Sequence, residues 1–198
     1  ITCSASGVGG KGISADTNIY IGVLGANDSL LHLNVSTSGA RFYVSGSGEN
    51  ADYANSKAIK SVGNLYLNSG TLVITTTTEG GEGIESKDTL FINGGNTDIN
   101  TYDDGINASN HIQINGGKTH SHATNNDGID SNGTLTITGG ITIANGTSAP
   151  EEGFDCDQNV FTITGGLLIE TGGSTSTPSS TTCTQHAIVY SGMVLQFI

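Results

Sequence analysis

Apolar and polar side chains alternate along this chain in short runs, and the runs recur. Five triplets share the order apolar–polar–apolar or its close variant: Leu65-Tyr66-Leu67, Leu90-Phe91-Ile92, Ile112-Gln113-Ile114, Leu135-Thr136-Ile137 and Phe161-Thr162-Ile163. A pleated strand turns such a triplet's outer residues to one face and its middle residue to the other. Behind each triplet comes a turn: Ser69-Gly70, Gly94-Gly95, Gly116-Gly117, Gly139-Gly140 and Gly165-Gly166. The second glycines are spaced 25, 22, 23 and 26 residues. Ahead of the triplets stand Ala58-Ile59, Gly83-Ile84, Gly105-Ile106, Gly128-Ile129 and Gly153-Phe154. An earlier copy is visible at Gly12-Ile13 and Ile19-Tyr20-Ile21, and a fainter one at Ala187-Ile188.

A period in the low-to-mid twenties fits leucine-rich repeats or a parallel β-helix. The chain has no leucine scaffold with helical backs, which leaves the β-helix: an all-β solenoid whose coils stack like on like. A small-residue column (Ala15, Ser61, Ser86, Ala108, Ser131, Cys156) supports the register, since a tightly turning wall leaves little interior volume. The spacing predicts about seven coils in a single domain over 1–198, with a long insertion in the first coil at about 22–57 and repeats over about 58–192. After each glycine pair the inward register stays open. Leu72/Ile74 and Thr97/Ile99 indicate one choice, Ile141/Ile143 the other.

Composition narrows the function. The 198 residues hold 30 glycines and carry 6 Lys+Arg against 18 Asp+Glu, a formal net charge of −12. A polyanionic nucleic acid needs a basic stripe, so that partner is excluded. No apolar run approaches the ~18 residues of a membrane span. Opening on Ile1 reads as a mature or trimmed chain.

The acids are patterned. Glu82-Gly83-Ile84-Glu85, Asp104-Gly105-Ile106-Asn107, Asp127-Gly128-Ile129-Asp130 and Glu152-Gly153-Phe154-Asp155 repeat one step, with Asp103, Glu151 and Asp157 beside it. Stacked coils bring equivalent residues to about 4.8 Å, where two carboxylates repel by roughly 3–4 kcal/mol at an effective dielectric of 20. Such a column suits calcium, which takes several oxygen ligands in flexible geometry. The candidate ligands are Asp103, Asp104, Asp127, Glu152 and Asp155, helped by Glu82, Asp130, Glu151 and Asp157. The alternative is a solvated acidic edge.

Tyr20, Tyr66 and Phe91 occupy the outward triplet position of successive coils. They form either a strip on which sugar rings stack or a ladder that only stabilises the sheet. His120 and His122 share one strand face, as exposed polar residues or as part of a metal site. Cys156 and Cys183 lie about one coil apart, which allows a disulfide in an oxidising compartment. The alternative is a buried free thiol at Cys156, and Cys3 is left over.

With these steps, turns and corners in place, the chain resembles bacterial extracellular carbohydrate-binding β-helix proteins, described for cellulose and polygalacturonate binding and similar in architecture to pectate lyases. The resemblance spans about Gly12 to Gly192. It is most specific in Glu82–Asp88, Asp103–Ser109 and Glu151–Asp157, whereas the segment from Gly22 to Ser56 and the outward His120 depart from the simplest repeat. It implies a right-handed single-stranded parallel β-helix, bound calcium, affinity for acidic polysaccharide, and a secreted or cell-surface bacterial location. The expected function is non-catalytic, calcium-dependent polysaccharide binding. A polysaccharide lyase is the enzymatic alternative, with Lys60, Lys87 and Lys118 as candidate bases on the coils and no coil arginine to hold uronate. A structural adhesin or filament subunit, self-associating through open coil ends, is the third.

Overall fold

The computed structural model describes residues 1–26, 30–173 and 175–188. Strand β1 (Thr2–Ala5) precedes a first rung of β2 (Lys11–Ala15), β3 (Ile19–Ile21) and β4 (His32–Thr37). A hairpin of β5 (Phe42–Ser45) and β6 (Asp52–Ala54) follows. The second rung is β7 (Lys57–Ser61), β8 (Leu65–Leu67) and β9 (Thr71–Thr76), and the third is β10 (Glu82–Ser86), β11 (Thr89–Ile92) and β12 (Asn96–Thr101). Next come β13 (Ile106–Ala108), β14 (His111–Ile114) and β15 (Lys118–Ala123), then β16 (Ile129–Ser131), β17 (Thr134–Ile137) and β18 (Ile141–Asn145). The last rung is β19 (Phe154–Asp155), β20 (Phe161–Ile163) and β21 (Leu167–Thr171).

Like strands stack in parallel into three sheets. Sheet A has seven strands (β1, β4, β9, β12, β15, β18, β21), sheet B six (β2, β7, β10, β13, β16, β19) and sheet C six (β3, β8, β11, β14, β17, β20). First rung to last is thus about five turns of an all-β solenoid. About seven coils were expected; among the described residues the shortfall lies at the end, where residues 175–188 carry no strand, and the part of the expected repeats beyond residue 188 lies outside the described residues. The strandless stretch still donates backbone bonds to the last rung, Ser176 to Phe154, Ser179 to Phe161 and Thr184 to Ile163. The expected insertion also shrinks, because β4 is a regular wall strand paired with β9. What remains is chiefly the antiparallel hairpin β5–β6.

The interior is the sum of the repeating inward positions. Ile59, Ile84, Ile106 and Ile129 stack from sheet B, and Leu65, Leu90, Ile112 and Leu135 from sheet C, all with no exposed surface. Each such side chain contributes roughly 1.5–3 kcal/mol by leaving water. In the last rung Phe154 and Phe161 take these places, their rings 5.8 Å apart. The open register of sheet A resolves one way throughout. Leu72, Thr97, Thr119 and Thr142 stack inward, which turns Ile141 outward at 39% exposure.

The two glycine signals have different causes. The second glycine of each turn takes the left-handed conformation, as at Gly95 (φ 85°) and Gly117 (φ 83°). The glycine of the acidic step is there for space: a Cβ on Gly105 would stand 2.5 Å from the carbonyl oxygen of Gly128 on the next rung. From Ser61 onward the small-residue column is buried at the corner from sheet B to sheet C, where its hydroxyls serve carbonyls. Ser61 donates to Thr17 and Gly63 at 2.7 Å, and Ser131 to Thr134 at 2.9 Å.

Candidate functional site

On sheet B, each inward apolar residue is followed by an outward one and preceded, two positions back, by a second polar residue. The register joins Ser14, Lys60, Glu85, Asn107, Asp130 and Asp155 into one column. The other column begins Lys11, Lys57, Glu82. It continues through Asp104, Asp127 and Glu152, whose carbonyls accept from Gly83, Gly105 and Gly128. The acidic step of the sequence is therefore the far half of a face whose near half is basic. Lys11 and Lys57 extend the set of lysines on regular coils beyond Lys60, Lys87 and Lys118, and three lysines stand in the acids' own columns. Their positions matched the step all along: Lys57 precedes Ile59 as Glu82 precedes Ile84, but the hairpin interrupts the repeat there.

At the basic end Glu85, only 2% exposed, is ringed by lysines: Lys57 at 3.1 Å, Lys60 at 3.0 Å, and Lys87 in direct contact. Burial alone would raise its carboxyl, but Lys57, with Lys87 and Lys60, holds it down at about 2. Lys57 also pairs with Glu82. Burial disfavours the Lys57 ammonium, yet Glu82 and Glu85 outweigh that and keep it above its ordinary value. Lys11 donates instead to the carbonyls of Gly9 (2.6 Å) and Asn55 (3.1 Å). Burial, then Lys60 and Lys57, lower its pKa. The hairpin closes this end: Tyr53 and Asn55 line, with the lysines, a groove of about 580 Å³. Arg41 lies over the Tyr53 ring at 4.1 Å and pairs with Glu79 at 2.6 Å.

The acidic end has the opposite balance. Burial, then Asp130 and Asp103, push Asp104 well above its ordinary value. Burial raises Asp127 to about 7, with Asp155 and Glu151 adding to the rise against a backbone bond from Glu152. Burial, then Asp155 and Asp127, bring Asp130 to about 7 as well. Asn107 donates to both Asp104 and Asp130 and bridges two rungs. Asp103 accepts from Asn126 at 2.6 Å, and Asp155 from the backbone of Asp157 at 2.6 Å. Glu151 and Glu152 are half-buried, and one buried oxygen of Glu152 has no hydrogen-bond partner. The donor set is all oxygen, which suits calcium. Among the described residues no three His, Cys, Asp or Glu side chains already converge as a ready-made metal site.

The aromatic column of sheet C is a ladder. Tyr20 and Tyr66 stack with centroids 4.6 Å apart, and Tyr66 and Phe91 at 4.7 Å, both pairs within 1° of parallel. Both faces of Tyr66 are covered by its neighbours, so a sugar ring cannot stack on either face of Tyr66. The outer face of Tyr20, a residue 63% exposed, is the one left at the ladder's first end. On sheet A, His120 contacts Asp98 (2.9 Å) and Asn145 (3.0 Å).

The expected Cys156–Cys183 disulfide is absent, since Cys3, Cys156 and Cys183 are all free. Cys156 sits in the corner column with its thiol toward the carbonyl of Asn159, whereas Cys183 lies against sheet C, toward that of Phe161. The two thiols serve different walls of the coil.

No curated protein and no solved structure gives a significant match. A family model described as carbohydrate-binding domain-containing protein matches residues 9–194, which takes in all six rungs and the groove on sheet B. The chain thus belongs to the family of carbohydrate-binding domain-containing proteins.

Proposed function

We propose that this chain is a non-catalytic module, secreted or held at the bacterial cell surface, that binds an acidic polysaccharide along sheet B with the help of calcium. One observation carries the reading. Asp104 and Asp127 are buried on adjacent rungs with Asp130 half-buried beside them, and all three hold protons far more tightly than ordinary carboxyls. A calcium ion among them would displace those protons and offset their repulsion, and, with about 6–8 oxygen ligands in its shell, it could take a polymer carboxylate as one more ligand. Asp104, Asp127, Asp130, Glu152 and Asp155 are the residues that would hold it, with Asp103, Glu151 and Asp157 at the margin. Glu82 is already engaged by Lys57.

The test is affinity electrophoresis through gels containing an acidic polyuronate or its carboxyl-reduced form, each with calcium and with chelator. The expected result is retardation by the polyuronate that calcium strengthens, with no release of ultraviolet-absorbing unsaturated uronate. Equal retardation by the reduced polymer, or appearance of the unsaturated product, contradicts the proposal.

A further inference from the structure

We propose that the basic end of sheet B is a second, metal-independent subsite, at which lysine ammonium groups grip a carboxylate of the same acidic glycan directly. The inference rests on the acidic-polysaccharide reading and adds a second mode of recognition to it. The chain has 6 Lys+Arg in all, and four of them, Lys11, Lys57, Lys60 and Lys87, line this one groove. In a protein of net charge −12, that concentration runs against the field of the whole molecule.

The groove's own acids do not use it up. Glu82 and Glu85 pair with three ammonium groups, those of Lys57, Lys60 and Lys87, and Glu85 alone accepts from all three. Lys11 is in no ion pair among the described residues, and two backbone carbonyls occupy two of its three donors. Lys87 is 46% exposed at the side chain and makes its ion pair with Glu85 alone, so it too has donors to spare. A guest carboxylate between Lys60 and Lys87 would complete the charge balance that Glu85 leaves open.

A glycan fits better than a small anion because the groove continues. Asn107, Ser109 and Asn132 line it on the following rungs and offer amide and hydroxyl partners for sugar hydroxyls. Beyond them stands the carboxylate half of the face. A polyuronate laid across the rungs would meet lysines at one end and, through calcium, carboxylates at the other. The two ends would then fix its direction.

The deciding experiment is calorimetric titration of oligogalacturonate, first with calcium and then in chelator, into the full chain and its Lys60→Gln/Lys87→Gln variant. Chelated wild type should retain weakened binding that fades as salt rises, because direct ion pairs are screened. The variant should lose about tenfold or more of that residual affinity, the scale of one charge-assisted hydrogen bond. Lys87→Arg, which keeps the charge, should restore most of it in the Lys60-intact background, and a melting curve confirms that each variant is folded. Residual binding that ignores salt or the lysine variant overturns the subsite. So does an affinity that vanishes in chelator while persisting with calcium, and in that case the calcium-dependent reading stands. No binding under either condition overturns both.

Discussion

Asp127 and Asp130 each rise from 3.8 to about 7, burial first and neighbouring carboxylates second, so the folded chain binds their protons more tightly than the unfolded one. The stability they contribute is present at acid pH and is lost as pH climbs from about 4 through about 7. Glu85 has the opposite sign. Held at about 2 against an ordinary 4.5, it stabilises the fold above 4.5 and loses that contribution as pH falls toward 2. Metal-free protein should therefore have its highest melting temperature near about pH 4–5 and decline toward neutrality. Under the proposed function calcium would compete with the protons and should flatten that decline. Differential scanning calorimetry across pH, in chelator and in calcium, checks both; a metal-free melting temperature that climbs steadily from pH 5 to 8 would contradict the assignment. Asp127→Asn/Asp130→Asn should melt no lower than wild type in chelator, because neutral amides remove the repulsion while keeping an acceptor oxygen.

At the scale of strands and turns, the ladder and the glycine columns belong to the scaffold. Tyr66 is stacked on both faces, so Tyr66→Ala should cost about 1–3 kcal/mol in denaturant unfolding. Uronate affinity should stay within about twofold, since the ladder lies on a different sheet from the groove. A Tyr66→Ala chain of full stability and lost affinity would return the strip to the ligand. Gly105→Ala should destabilise by about 1–3 kcal/mol or more, because its Cβ would meet the Gly128 carbonyl at 2.5 Å.

These elements were legible in the sequence because a pleat alternates strictly and because close-approach and left-handed positions both demand glycine. Other features lay where periodicity carries less information. Ile141 and Ile143 obscured the sheet A register, since an exposed isoleucine reads like a buried one. The residue between two apolar neighbours is known to face outward, but not whether its ring is free or already stacked. A spacing of about one coil put Cys156 and Cys183 within apparent reach, yet 27 residues of chain leave them on different walls.

Over the whole molecule, the acids and the lysines form one polar face with a basic end and an acidic end. The acidic end was readable as three copies of one step, whose fourth copy, Glu82–Glu85, lies among the lysines. The basic end was hidden because the hairpin separates the first two rungs, and without their alignment Lys11, Lys57 and Lys60 look scattered. The family match supports carbohydrate binding by this solenoid, and the face on sheet B joins the charged columns to a groove.

The most direct test of that placement is a calorimetric titration of oligogalacturonate, in calcium, into three proteins: wild type, Asp127→Asn/Asp130→Asn on sheet B, and Tyr20→Ala on sheet C. The expected result is saturable binding to wild type and to Tyr20→Ala, with the sheet B variant weakened about tenfold or more by loss of charged calcium ligands. Full affinity in the sheet B variant, or its loss in Tyr20→Ala alone, would contradict the account.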